Sequence, residues 1–115
     1  MQYLLLIYNE ERVWDDLPQS AKDEGFAAYM AYGEALKKAG ALRANGRLRP
    51  STDATTVRLT QGKPQVLDGP YADTKEQLGG FYIIEAPDLD AAIAWAGRCP
   101  GAGHGIMEVR PLWLY

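Results

Sequence analysis

The chain is predicted to fold as an α+β domain, and three observations carry that prediction. An unbroken apolar run of strand length, Tyr3-Leu4-Leu5-Leu6-Ile7-Tyr8, opens the sequence. Two stretches repeat apolar residues at helical spacing, one through Tyr29 and one through Ala92. Shorter β-rich runs lie between and after them, punctuated by glycine and proline.

The first run is bounded by polar residues and reads as a strand with both faces covered. Asn9 to Pro18 reads as a loop holding Trp14 between charged residues. Ser20-Ala21-Lys22-Asp23 has the form of a helix start, with Ser20 as N-cap and acid in the first turn. Phe26, Tyr29, Met30, Gly33 and Leu36 then share one helical face, Glu34 and Lys38 make an outward i,i+4 pair, and Gly40 supplies the stop. Ala41 to Pro50, containing Asn45-Gly46, reads as a turn or a ragged strand.

Thr55 to Thr60 sets Thr55, Val57 and Leu59 against Thr56, Arg58 and Thr60, the alternation of a strand. Gln61-Gly62-Lys63-Pro64 turns the chain into a short partner strand, Gln65-Val66-Leu67. Beyond Asp68-Gly69-Pro70, a stiff turn, Asp73 and Glu76 have the spacing to cap a single helical turn. Phe81 to Glu85 is a strand. Pro87-Asp88 starts a second helix with Leu89, Ala92, Ile93 and Ala96 as its apolar stripe, and Cys99-Pro100-Gly101 ends it. Gly101 to Gly105 reads as a flexible loop, Ile106 to Arg110 as the closing strand, and Leu112-Trp113-Leu114-Tyr115 as an apolar tail that a soluble monomer would not readily expose.

Strand, helix, strand, hairpin, strand, helix, strand is the order of a split βαβ, ferredoxin-like sheet with an added hairpin. Two helices cover one side of such a sheet. Tyr3, Leu5 and Ile7 point one way and Leu4, Leu6 and Tyr8 the other, so the second face asks for a cover that the chain's own elements do not supply. A homodimer with sheets face to face, forming a dimeric α+β barrel, meets that demand with twofold symmetry.

Length and charge bound the function. A chain of 115 residues with 47% hydrophobic content forms one domain, 1–115, burying roughly 65% of its unfolded surface. The net charge is −3 and the twelve Lys and Arg are scattered, which argues against direct nucleic-acid binding. The single cysteine, Cys99, cannot close an internal disulfide, and the first apolar run is too short for a membrane span or a signal-peptide core. A cytoplasmic protein without membrane contact is expected.

The stretch from Asp68 through Gly69-Pro70-Tyr71 and Lys75-Glu76-Gln77 to Gly79-Gly80-Phe81-Tyr82 resembles the signature of the YCII-related, DGPF-type proteins. The resemblance runs from Met1–Tyr8 to Glu108-Val109-Arg110-Pro111. It implies the same dimeric α+β barrel reached from burial. In an enzyme-like branch of that family, a helix histidine and an aspartate just before a proline are proposed as an acid/base dyad. Aligned on Gly40 and Pro100, Tyr29 stands at the histidine position and Cys99 at the aspartate position, so the dyad is not carried over. Some members resemble a dehydrochlorinase acting on a chlorinated hydroxymuconate, an assignment a chain lacking both groups does not inherit. Others are encoded beside, or fused to, extracytoplasmic-function sigma factors, which implies sigma-factor association as one partner class.

Several residues are candidates for chemistry. Asp68 is either a carboxylate held at a pocket rim to move protons or a turn-maker accepting backbone N–H groups. His104, the only histidine, is the only side chain whose ordinary pKa lies near neutrality, and it is either an acid/base group or a solvent-facing loop residue. Lys75, Glu76 and Gln77 present polar groups to a ligand or form a solvated turn. Tyr8, Tyr29, Tyr32, Tyr71 and Tyr82 form a phenolic set for a flat or acidic small molecule, or are core residues. Arg58 projects opposite Val57, where an anionic ligand could meet it, while Arg110 and Glu108 read as a mutual ion pair. Cys99 reads as structural, because a helix C-terminus disfavours a thiolate.

One His and one Cys do not make a zinc set, and neither phosphate-loop nor dinucleotide nor serine-hydrolase motifs occur, so neither metal nor cofactor is predicted. Two functions fit. One is a small-molecule-binding protein with lyase- or isomerase-type proton transfer in a cleft near the dimer interface. The other is a non-catalytic regulatory module working with a sigma factor.

Overall fold

A computed structural model describes residues 1–114. The elements run β1 (Gln2–Asn9), α1 (Glu11–Asp15), α2 (Gln19–Lys38), β2 (Leu42–Arg47), β3 (Thr55–Thr60), β4 (Lys63–Asp68), β5 (Gln77–Glu85), α3 (Leu89–Arg98), α4 (Gly101–His104) and β6 (Ile106–Pro111). A 3-10 turn, Ser51–Asp53, joins β2 to β3. Four strands form one sheet in the order β2-β5-β1-β6, and β3 and β4 form a separate hairpin. Each pairing is antiparallel. The α+β architecture is the one the sequence predicts.

β1 is the organising strand, paired with β5 and β6 on its two sides. Tyr3 faces Ile84 and Leu5 faces Tyr82, so these four side chains share a face with Ile7. That face is buried beneath Tyr32 and Leu36 of α2 and Ala92 and Ala96 of α3. Alanines on α3 let its backbone lie close to the sheet, and Leu5, Leu36 and Ile84 are sealed from water at the centre. On the opposite face Leu4, Leu6, Phe81 and Ile83 remain half-buried.

Local chemistry sets the boundaries. Gly40 adopts φ 67°, a left-handed conformation that L side chains resist, and the Gly40 and Ala41 amides donate to the Lys37 and Leu36 carbonyls at 2.9 Å each. Asp88 caps α3, its carboxylate accepting from the Ala91 amide at 2.9 Å. The hairpin turns through Gln61 and Gly62, with φ 51° and 78°.

Several expectations are corrected. The stretch 9–18 is not all loop, because Glu11–Asp15 forms α1. Helix α2 starts at Gln19 behind Pro18, and Ser20 makes no cap. Its buried face passes through Tyr29, Tyr32 and Leu36, a 3–4 spacing that turns Met30 outward at 72% exposure. Glu34 pairs with Lys37 at 3.4 Å rather than with Lys38. Leu89 and Ile93 are about half exposed, so only the alanines of the predicted α3 stripe are buried. Residues 69–76 hold no helical turn; the Thr74 hydroxyl donates to the Glu76 carbonyl instead. The glycine-rich segment after Pro100 is helical in α4. Of the apolar tail, Trp113 and Leu114 are exposed, and Tyr115 lies outside the described residues.

Candidate functional site

On the helix side of the sheet, where β1, β2 and β5 end beside α1 and the first half of α2, the surface opens into a cleft of about 220 Å³. That is below the roughly 300–1,000 Å³ of sites for drug-sized ligands, and it suits a single ring. Helix α1 forms one wall and is pinned at its start. The Glu11 amide donates to Gln77 Oε1 at 3.1 Å, and the Glu11 carboxylate accepts from the Ser51 amide and the Ser51 hydroxyl, both at 2.7 Å. Three elements distant in sequence are thereby tied around the cleft.

Anchoring α1 fixes Trp14, whose ring meets Phe26 of α2 edge-on at 5.2 Å. Arg47 of β2 lies over this pair, its guanidinium carbon 4.9 Å from the Phe26 centroid and 5.6 Å from the Trp14 centroid. Such cation–π contacts contribute about 0.5–1 kcal/mol each at exposed sites. They hold the guanidinium at the cleft while leaving its N–H groups available. Among the described residues Arg47 has no carboxylate within 4.0 Å and no side-chain hydrogen bond. The floor is glycine: Gly46, Gly79 and Gly80 line it without side chains. A Cβ on Gly80 would stand 2.9 Å from the Gly46 carbonyl oxygen, so the floor is a place of close strand approach.

Tyr29 reaches in from α2, its hydroxyl 2.9 Å from where a Cβ on Gly101 would stand. Its pKa is pushed up to about 12, first by burial and then by its neighbours Cys99 and Tyr82, with Arg47 acting the other way. At neutral pH Tyr29 is therefore a donor phenol, and among the described residues its hydroxyl has no protein hydrogen-bond partner. Burial likewise raises the Cys99 thiol, opposed by a hydrogen bond from the Gly101 backbone, so Cys99 is no thiolate nucleophile. Tyr29 and Cys99 are electrostatic neighbours, and both groups stay protonated at neutral pH. Asp15, which is exposed, and Asn9 and Asn45 complete the polar lining.

The residues singled out by sequence fall into separate places. Tyr29 lines the cleft. Tyr32 lies behind it in the core, donating to the Trp95 carbonyl at 2.8 Å, with its pKa raised mainly by burial. Gln77 supports the wall by holding α1 and donates to the Thr74 carbonyl at 2.7 Å. Lys75, Glu76 and His104 meet around a second, shallower depression, where Lys75 pairs with Glu10 at 3.4 Å. Tyr8 lies on β1 in register with Ile106 and Leu78. Arg58 and Asp68 sit exposed on the hairpin, and Tyr71 is 80% exposed. Glu108 and Arg110 pair at 2.8 Å. Trp14, Phe26, Arg47 and Asp15 were not among the sequence candidates for the site. A tryptophan set among charges just ahead of a helix is the signal that would have pointed there.

Among the described residues, no cluster of three or more His, Cys, Asp or Glu side chains is placed to hold a metal ion. Among the described residues, no helix is long and apolar enough to cross a membrane.

A four-stranded antiparallel sheet with helices on one face, a detached hairpin and a small aromatic cleft at the sheet's end define the class. The chain belongs to the YCII-related family: the family model for the YCII-related domain matches residues 1–115. It is 39% identical over 117 residues to an uncharacterized protein of Rhizobium meliloti (strain 1021), covering 100% of this chain and 94% of that one. Its fold is similar to that of 5-chloro-2-hydroxyhydroquinone dehydrochlorinase from Burkholderia phenoliruptrix AC1100, solved in complex with 2,5-dihydroxybenzoquinone. The TM-score is 0.57 at 21% identity, over 98% of this chain and 94% of the other.

Proposed function

We propose that the cleft binds a small, flat, oxygen-rich anion of the hydroxyquinone or aromatic-acid type, and that the protein acts on it by lyase- or isomerase-type proton transfer. One observation carries the reading: two side chains whose donors the protein does not engage, Arg47 and Tyr29, line one slot with an aromatic wall and a glycine floor. A guanidinium recognises an oxyanion through paired N–H donors, and a neutral phenol adds a third donor. Trp14 and Phe26 supply the apolar face for a ring. The fold neighbour's bound dihydroxybenzoquinone is a ligand of this chemistry and supports the choice of probe.

Because Tyr29 stays protonated, the proton acceptor is another group. Asp15 is the carboxylate in the lining that is not engaged by the protein, since Glu11 is committed to Ser51. We assign Asp15 as the base. Asp68 and His104 lie outside the cleft within one protomer, and a role for either would require the second depression or a partner. We read the whole domain as a ferredoxin-like split βαβ fold that pairs through its open sheet face into a dimeric α+β barrel.

Calorimetric titration with 2,5-dihydroxybenzoquinone tests the site. A lost charge-assisted hydrogen bond costs about 1.5–3 kcal/mol, so Arg47→Gln should weaken binding roughly 10- to 100-fold. Tyr29→Phe should weaken it by about 5- to 10-fold, the cost of a neutral donor. Equal affinity for the native chain and both variants would remove the cleft from the account. Asp15→Asn should retain binding and lose proton abstraction, read as loss of deuterium exchange at the ligand's ring C–H.

A further inference from the structure

The β3–β4 hairpin is the part of the molecule that neither the core nor the cleft explains. Its strands are fully paired, from Thr55 opposite Asp68 to Thr60 opposite Lys63. Its base is tied by Gly69, whose amide donates to the Ala54 carbonyl at 2.7 Å and whose carbonyl accepts from the Thr56 hydroxyl at 2.8 Å. Val57 faces Val66 and Leu59 faces Pro64, so one side of the hairpin is an apolar strip. That strip is open: Val57 is 62%, Leu59 69% and Val66 63% exposed. β3 and β4 pack chiefly on each other. A lone two-stranded hairpin is marginal in water, so an apolar arm of this kind needs a surface to lie on.

Its own sheet is not that surface. The molecule measures 47 × 44 × 19 Å. Layers of secondary structure pack roughly 10 Å apart, so 19 Å holds the sheet and its helices and leaves no room for the hairpin as a third layer. The arm projects sideways instead. The radius of gyration, 16.1 Å, exceeds the roughly 13 Å of a compact chain of this length.

We propose that the hairpin is an exchange arm whose apolar strip, Val57, Leu59, Pro64 and Val66, lies on a second copy of this chain. Area argues for a copy rather than an unrelated protein. The protomer exposes 8163 Å², against about 6,200 Å² for a compact monomer of this mass. Hiding that excess in both members of a pair, through the arms and the open sheet faces together, would bury on the order of 4,000 Å², within the range of obligate homodimers. Charge argues the same way. The paired strands, residues 55–68, carry Arg58, Lys63 and one acid, Asp68, a net charge of +1 on a chain whose net charge is −3, so the rest of the chain carries a net −4. Twofold symmetry lets each arm embrace the other body, which doubles every contact. This interface is distinct from the open sheet face, and none of its residues lines the cleft.

Sedimentation of the full chain and of a Val57→Asp/Val66→Asp variant tests the arm, with Val13→Asp as an exposed control outside it. The native chain and the control should be dimers at low-micromolar concentration, and the arm variant should dissociate with Kd raised at least about 100-fold while keeping its far-ultraviolet circular dichroism. A native chain that sediments as a monomer, or an arm variant with the native dimer constant, overturns the proposal. Hydrogen exchange gives a second reading that needs no substitution. Amides of residues 55–68 should exchange faster as the native protein is diluted through its dimer constant, and dilution-independent exchange there contradicts the arm contact.

Discussion

Gly80→Ala probes the cleft floor. In most strand positions this change helps, because alanine restricts the unfolded chain and yields about 0.4–1 kcal/mol. Here the added methyl would stand 2.9 Å from the Gly46 carbonyl oxygen, with the Arg47 Cα and Ile7 Cδ1 next at 3.7 Å each. The nearest atom is backbone, fixed by the β2–β5 pairing, so relief requires the strands to part. Overpacking of this sort costs about 1–3 kcal/mol, leaving a net loss of about 1–2 kcal/mol after the entropic gain. For a domain of this size that lowers the thermal midpoint by roughly 4–8 °C. Gly97→Ala in α3 is the matched control, since its methyl would meet nothing within 4 Å and glycine is a poor helix former. It should raise the midpoint by roughly 2–4 °C. Calorimetry at one fixed protein concentration reads both variants, which keeps any association constant common to the series. A midpoint that rises for Gly80→Ala as it does for Gly97→Ala would refute the close approach of β2 and β5.

Alkaline behaviour follows from the buried phenols. Tyr29, Tyr32 and Tyr82 all have pKa values raised mainly by burial, and Cys99 is raised in the same way. Each group ionises first in the unfolded chain, so stability is intact below the unfolded thiol value of about 8.5 and falls as pH climbs through the unfolded phenol value near 10. Absorbance at phenolate wavelengths, assigned with single Tyr→Phe variants, should show Tyr29, Tyr32 and Tyr82 ionising late, and ionisation of these three near pH 10 would contradict the buried cluster. Leu36→Ala removes a side chain with 0% exposure and should cost about 2–5 kcal/mol in urea unfolding. A cost below about 1 kcal/mol would show that α2 does not pack on the sheet there.

Strand β1 was legible because six consecutive apolar residues admit few alternatives; its 2-residue period divided them into two trios, and the structure puts Tyr3, Leu5 and Ile7 against the helices. The hairpin and both long helices were equally visible from alternation, from Gly40 and from Asp88. Misreadings have physical causes. Met30 and Ile93 are apolar residues on helices whose sheet-facing side is set by tertiary contact with β1 and β5, which no local pattern encodes. Helix α1 is shorter than a stable isolated helix and is held at its first residue, Glu11, by Gln77 and Ser51, far away in sequence. The cleft was harder still. Tyr29 was found through its phenol, whereas Arg47 sits in a ragged strand and gains meaning only when Trp14 and Phe26 are brought beneath it.

Backbone and side-chain NMR shifts during titration with 2,5-dihydroxybenzoquinone test the central claim most directly, because they report where a ligand sits rather than whether one binds. The account predicts the largest changes at the Gly79 and Gly80 amides, the Trp14 indole, the Arg47 guanidinium and Asn45. Changes confined to residues 68–76 and His104, with the cleft resonances unmoved, would contradict it.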